Sequence, residues 1–347
     1  SIKFVDDKGE EIKDQENFKG TINSIWSLQM KKGIKYQNHP CFTKNEKGEL
    51  IYLQLNNSSQ NHFTDLFDLP NPGSREVLIN DFVYQIYRLA DPRNKCPIAF
   101  IIDKIKGMED VKKGINSEIE SIRKLRVEKS REKGELVYNR EEDEKENPII
   151  IDYLKIPCAG IKILDDYTMD ITLTEKYPQF QYWLSMTFFS PMPWEAIHFY
   201  EQKVVKEKGF SILNYPVGTG PFKFEKCNRN ARMILSKNEN YHDDFYPKEA
   251  SPELNEFLKY AGQKLPLVDK IIWTKEPETT SQWIKFQQGY LEAASIPEQS
   301  FTSAIDLNSG NGELSQAMKE KKLRLVKAPR ASIWYLGFNM LDPIVGG

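Results

Sequence analysis

The sequence predicts an α/β chain long enough for two or three packed units, and three observations carry that prediction. Strand-type alternation recurs along the chain, most clearly in Phe222-Lys223-Phe224-Glu225, where aromatic and charged side chains fall on opposite faces. Helix-type spacing separates such strands, as in Phe82, Val83, Ile86 and Leu89. With 347 residues, 39% of them hydrophobic, the chain has material for more than one packed unit.

The elements follow in order. Residues 3–55 read as short strands and turns, with Asp7-Lys8-Gly9 and Glu46-Lys47-Gly48 as hairpin tips. Residues 56–74 are polar and turn-rich, hence a loop. Asn80 or Asp81 offers a side-chain oxygen to cap the next helix, and Pro92 stops it. Residues 110–147 are dense in Lys, Arg and Glu, with Ile115, Ile119, Ile122 and Leu125 on one stripe. That pattern predicts an amphipathic helix with a solvated outer face, followed by Glu141–Glu146 as mobile surface.

Ile161–Leu164 and Met169–Leu173 flank Asp165-Asp166-Tyr167 as a hairpin. The run from Tyr177 to Tyr200 holds Phe180, Tyr182, Trp183, Phe188, Phe189 and Trp194, read as core at a domain junction, with Pro191 and Pro193 preventing one continuous helix. A Gly-Thr-Gly-Pro turn at 218–221 feeds the strand beginning at Phe222, a polar break at Asn228-Arg229-Asn230 reverses the chain, and Met233–Ser236 returns. A sharp turn before Pro221 calls for positive φ at Gly218 or Gly220. Thr279–Gln288 is a helix ended by Gly289, Phe301–Lys319 is helical with an interruption near Gly310 and Gly312, and Ile333–Phe338 is a strand. The division expected is residues 1–180, residues 181–330, and a final strand within 331–347.

Composition and motif searches narrow the function. A net charge of −2 argues against a dedicated nucleic-acid binder. No run approaches the ~18–20 apolar residues that span a bilayer. The first residues lack the apolar core of a signal peptide, which leaves the compartment open. Cys41, Cys96, Cys158 and Cys227 are widely spaced, so two disulfides and buried free thiols both stand as readings. His39, His62, His198 and His242 fall in no metal-binding spacing, and His242 beside Asp243 reads as a solvated loop histidine or a single metal ligand. Gly218-Thr219-Gly220 lacks the Lys-Ser/Thr of a phosphate loop, and no Gly-x-Ser-x-Gly elbow occurs. Asp165-Asp166 and Asp243-Asp244 sit in turn contexts. The reading is a binding protein with no catalytic residue, no metal and no cofactor.

Several stretches together resemble a known family. Tyr215-Pro216-Val217-Gly218-Thr219-Gly220-Pro221-Phe222, followed by Asn238-Glu239-Asn240-Tyr241, is similar to the signature of the family 5 extracellular solute-binding proteins. Trp26-Ser27-Leu28-Gln29-Met30-Lys31-Lys32-Gly33-Ile34-Lys35-Tyr36 and Asn80-Asp81-Phe82-Val83-Tyr84 through Asp91-Pro92 resemble two earlier motifs. Gly160–Thr168, Ser190–Pro193, Val268–Ile271, Gln288–Glu292 and Tyr335–Asn339 follow in the family's order. The charged stretch 110–147 departs from the pattern, as the family usually connects these points more briefly.

The resemblance implies a mixed-sheet lobe of the periplasmic-binding-protein type (type II, cluster C) made of two subdomains, with the second lobe absent from this sequence. It implies an oligopeptide ligand caught between two lobes and delivered to the permease subunits of an ABC importer, outside the cytoplasmic membrane, with a lipid anchor beyond this chain as a tether. Nickel, haem or sugar ligands occur in the same family. A stand-alone interaction module using the 110–147 helix is the alternative of another class. Ligand-binding candidates at matching positions are Trp334, Tyr335 and Asn339 in the last strand, Ala294 and Ser295 after the Gly289 helix end, and Ile98 after Pro92. If the strand alternates, only one of Trp334 and Tyr335 faces a cleft. Half a site open to water implies weak or undetectable peptide binding by residues 1–347 alone.

Overall fold

The computed structural model describes residues 1–6, 8–13, 20, 22–55, 63–132, 134, 138–228, 230–328 and 332–346. Asp7 of the first hairpin tip, residues 56–62 of the expected loop with His62, residues 133 and 135–137 of the charged stretch, and Arg229 lie outside them. The chain forms two compact units, 1–273 and 274–347. Phe180 is buried inside a core of the first unit.

The first unit begins with β1 (Ile2–Val5) and β2 (Asn23–Gln29). Helices α1 (Ile79–Ala90), α2 (Ala99–Ile102), α3 (Met108–Glu132) and α4 (Arg140–Glu146) follow, then the hairpin β3 (Ile161–Asp165) and β4 (Thr168–Leu173). These strands make one antiparallel sheet in the order β1-β2-β4-β3. Its register sets Trp26 opposite Ile171, both buried, so the alternation of each strand feeds one face into the core. Short helices α5 (Phe180–Leu184), α6 (Trp194–Glu201) and α7 (Lys203–Glu207) lead to a second sheet of β5 (Phe222–Asn228), β6 (Arg232–Lys237) and β7 (Lys270–Thr274), in that order, with β5 and β6 antiparallel.

Two buried clusters hold this unit together. In the first, Trp26 and Ile171 meet Val83 and Ile86 of α1, Val111, Ile115 and Ile119 of α3, and Phe180 and Phe189. Phe180 packs edge-on against Trp26 at 5.3 Å and Phe189 at 6.1 Å. In the second, Tyr36, Phe42, Phe63 and Leu66 gather with Phe199, Tyr200 and Phe210. Part of the aromatic run is therefore core, whereas Tyr182 and Trp194 are exposed.

Two local expectations change. α1 starts at Ile79, so neither Asn80 nor Asp81 is its N-cap; Asp81 sits in the first turn and accepts from the Leu78 N–H at 3.0 Å. The acidic run 141–146 is helical rather than loose surface. Asn139 caps α4, and Arg123 and Arg126 of α3 pair with Glu144 and Asp143 at 2.7 and 2.9 Å. On α3 the stripe is buried at Ile115 and Ile119, but Leu125 points to solvent. All four cysteines are free thiols, with only Cys41 fully buried.

The second unit holds α8 (Thr279–Gln287), α9 (Phe301–Ala304), a two-stranded hairpin of β8 (Ile305–Asp306) and β9 (Glu313–Leu314), and α10 (Gln316–Glu320). Trp283, Ala304, Ile305 and Met318 form its small core. Gly289 ends α8 at φ 83°, as expected. The stretch 301–319 is not an interrupted helix: left-handed Gly310 and Gly312 (φ 68° and 60°) let the chain double back into the β8–β9 pair. Residues 333–338 form no strand, because among the described residues they have no ladder partner.

Candidate ligand-binding site

The motif residues of the first unit converge on one buried crossing of three segments. Tyr36 N–H donates to the Arg75 carbonyl at 3.0 Å, and His39 N–H donates to the Gly73 carbonyl at 2.8 Å. The approach is so close that a Cβ on Gly73 would lie 2.4 Å from the Phe42 carbonyl oxygen. The third segment is the signature hairpin. Gln37 N–H donates to the Gly218 carbonyl at 2.9 Å, and the Asn240 amide donates to the Tyr36 carbonyl at 2.9 Å and to Asn38 Oδ1 at 2.8 Å.

That arrangement corrects the expectation of a left-handed glycine. Neither Gly218 nor Gly220 adopts positive φ, and a Cβ at either would meet open space. Gly218 is tied to Gln37 through both its N–H and its carbonyl, and Asn238 Nδ2 donates to the Gly220 carbonyl at 2.8 Å. The chain bends at Gly220 and Pro221 without a left-handed residue, so no tight reversal falls on either glycine.

At the centre lies an ion triad that the sequence reading missed. The Arg75 guanidinium reaches Asp81 Oδ1 at 2.7 Å and Glu195 Oε1 at 2.6 Å, with each carboxylate contacted twice. Its face lies 5.2 Å from the Tyr36 ring and 5.4 Å from Phe42. Both carboxylates are nearly inaccessible, at 5% and 7% side-chain exposure. Burial works against the charged arginine, but its bonds to Asp81 and Glu195 outweigh it and hold its pKa above the ordinary value. One signal was available: Glu195 falls within the apolar stretch Trp194-Glu195-Ala196-Ile197, and a carboxylate in such a setting is rarely buried unless paired.

Beside the triad, His39 is fully enclosed. Its Nδ1 accepts from the Cys41 N–H at 3.1 Å, and its Nε2 lies 2.9 Å from the Tyr200 hydroxyl, which itself donates to the Tyr215 carbonyl at 2.7 Å. The ring is thus a neutral imidazole carrying its proton on Nε2, and burial pushes its pKa down to about 3. Asp165 and Asp244 accept from backbone N–H groups one or two residues on, the turn roles expected of them, and Asp243 pairs with Lys264. Among the described residues no cluster of three His, Cys, Asp or Glu side chains is arranged to hold a metal. The crossing is scaffold: its ion triad, His39 and the paired backbone groups bond to one another, while the buried Tyr36 hydroxyl has no hydrogen-bond partner among the described residues.

Two open cavities border this scaffold. An apolar one of about 260 Å³ is lined by Leu28, Met30, Ile79, Phe82, Met169 and Phe189. A wider polar groove of about 520 Å³ runs between Lys31–Lys35 and Glu239–Asp243. Neither contains a residue from the candidate ligand set. Ile98 is core, packed with α1 and α2. In the second unit Ala294 is partly buried against the small core, and Ser295 beside it is exposed. Trp334 and Tyr335 are 91% and 88% exposed, so both point to water and the expected alternation is absent. Asn339 Oδ1 accepts from the Leu341 N–H at 3.2 Å in a turn. Among the described residues no hydrogen bond or ring contact joins Trp334 or Tyr335 to Ala294 or Ser295.

Comparison with known proteins decides the family. The model described as bacterial extracellular solute-binding proteins, family 5 Middle, matches residues 73–346. The chain belongs to that family. Among curated proteins, the periplasmic oligopeptide-binding protein OppA of Salmonella typhimurium is 25% identical over 172 residues, covering 48% of this chain and 23% of that protein. Among solved structures, Haemophilus influenzae OppA in complex with RPPGFSPFR is 14% identical, with a TM-score of 0.43 over 87% of this chain and 42% of that one. The Helicobacter pylori periplasmic binding protein DppA in complex with the peptide STSA is 16% identical, with a TM-score of 0.40 over 81% and 38%. This family 5 chain thus spans under half the length of the relatives it matches. In the family's terms, the signature hairpin with Asn240 and the Arg75 triad is a packing device of a mixed α/β fold.

Proposed function

We propose that this family 5 protein is the substrate-binding component of an ABC importer, capturing oligopeptides outside the cytoplasmic membrane and delivering them to permease subunits. The observation that carries the reading is the family match over residues 73–346, joined by a relative named as a periplasmic oligopeptide-binding protein. Physical chemistry supports the ligand class. An extended peptide is held through its main chain, which gives affinity without dictating side chains, and bridging water tolerates the rest. The exposed segment from Ile333 to Phe338 has no ladder partner among the described residues and carries two amphipathic rings, Trp334 and Tyr335, suited to such a ligand. In this reading those two residues contact peptide, with Asn339, Ala294 and Ser295 as further contacts.

Mass spectrometry of material co-purifying with the full-length protein tests the proposal. A heterogeneous set of short peptides is expected; a single metal complex, haem or glycan would overturn the substrate class. Adjacent permease and ATPase genes are expected for the transport role, and their absence counts against it.

A further inference from the structure

The tip of the β8–β9 hairpin carries the chain's one asparagine followed by glycine, Asn311-Gly312. It joins two strands of only two residues each, and left-handed Gly310 and Gly312 flank the asparagine. The base of the tip is tied down. The Asn308 N–H donates to Asp306 Oδ1 at 2.9 Å, and the Ser309 hydroxyl donates to the Asp306 carbonyl at 2.8 Å while accepting from the Glu313 N–H at 3.1 Å. Asn311 itself is exposed. Among the described residues neither its side-chain amide nor the Gly312 N–H enters a hydrogen bond.

The Asn311 main-chain carbonyl does have a partner: its oxygen accepts from Lys327 Nζ at 2.6 Å. That oxygen and the Gly312 nitrogen belong to one peptide unit and share its delocalised electrons. When the N–H gives up its proton, negative charge spreads onto the oxygen, where the ammonium stabilises it through a charge-assisted bond. Lys327 therefore makes the Gly312 nitrogen easier to deprotonate. The neighbouring side-chain amide is unengaged, and its Cγ is one ring closure away. Glycine brings no Cβ to shield the nitrogen.

We propose that Asn311 is a self-modification site, at which Lys327 promotes attack of the Gly312 nitrogen on the Asn311 side-chain amide. The nitrogen loses its proton to water or hydroxide and bonds to Cγ. The bond from Cγ to the side-chain nitrogen breaks, and that nitrogen takes a proton from water and leaves as ammonia. The product is a cyclic imide. Water then adds to one of its two carbonyls: opening at Cγ gives aspartate, and opening at the main-chain carbon gives isoaspartate, whose backbone runs through Cβ. The contact from Lys327 also polarises the main-chain carbonyl, which favours isoaspartate. Either product adds a carboxylate to a hairpin that already pairs Asp306 with Glu313, and isoaspartate inserts an extra methylene into the backbone beside that short ladder. The inference is independent of any ligand.

The test is incubation of the chain at mildly alkaline pH, followed by peptide mass spectrometry with fragmentation that separates isoaspartate from aspartate. Asn311 is expected to convert faster than every other asparagine, and Asn311→Ser should remove the new acidic species. Lys327→Gln should slow conversion about twofold to tenfold, the range set by the net strength of one hydrogen bond, and lower the isoaspartate share. Lys327→Arg keeps a cationic donor and should stay close to the parent rate. In urea the parent and Lys327→Gln chains should convert at one rate, since the folded contact is gone. Conversion at Asn311 no faster than elsewhere overturns the proposal. So does an unchanged rate in folded Lys327→Gln, or a difference between the two chains that persists in urea.

Discussion

Two motif-bearing stretches of this chain have similar strand character and opposite fates. Phe222–Glu225 and Ile333–Phe338 are both rich in aromatic residues. The first is a strand, paired to β6 from Phe222↔Lys237 to Asn228↔Arg232 and anchored at its entry by Gln37 and Asn238. The second has no ladder partner among the described residues and leaves Trp334 and Tyr335 in water. The difference teaches that strand propensity describes side chains fit for a pleated surface, while a strand exists only where another backbone takes up its N–H and C=O groups.

Single substitutions test how each stretch is held. The largest effect is expected from Arg75→Met, which leaves Asp81 and Glu195 buried without their cation. A loss of about 3–5 kcal/mol in urea unfolding is expected for stripping one partner from a buried ion network. A loss below about 1 kcal/mol would show that the triad does not hold the crossing together. Next is Gly73→Ala. Its Cβ meets backbone rather than a movable side chain, so a cost of about 1–3 kcal/mol is expected from overpacking. An unchanged midpoint would mean the two segments approach less closely than described.

The third prediction concerns acid. Unfolded histidine binds a proton near pH 6.5, whereas folded His39 does so only near 3, so the unfolded state holds the extra proton between those values. Stability is then complete above about pH 6.5 and falls on acidification, by up to about 1.4 kcal/mol per pH unit for this one group. His198, also held below its usual value by burial, adds to the upper part of that window. Urea midpoints measured from pH 7 to 5 should show the slope, and His39→Gln should make it shallower. The smallest effects are expected from Gly218→Ala and Trp334→Ala. One has ordinary backbone and open space, the other is 91% exposed, and each should stay within about 0.5 kcal/mol. A larger loss at Trp334 would show that the last segment packs against something in solution.

Much of the local structure was legible in residues alone. The spacing of Val83 and Ile86 with the Pro92 stop gave α1, Asp165-Asp166-Tyr167 gave the β3–β4 turn, and Gly289 gave the end of α8. Each is decided by sterics and hydrogen bonding within a few residues. The candidate site was far less legible. Ile98 reads equally well as pocket or core until its neighbours are known, and burial placed it in the core. The order of the family motifs identified the chain without revealing that the signature turn carries ordinary backbone.

What the sequence determined by itself was the helical and strand periodicity, the turn chemistry and the family. These follow from short-range periods and from strings of residues read in order. What only the tertiary structure decided were meetings between distant residues: Arg75 with Glu195, Tyr36 with Asn240, and Arg123 with Glu144. No local rule fixes these, because the free energy of a buried charge or hydroxyl depends on which partner the fold brings within reach, and a sequence does not state that distance.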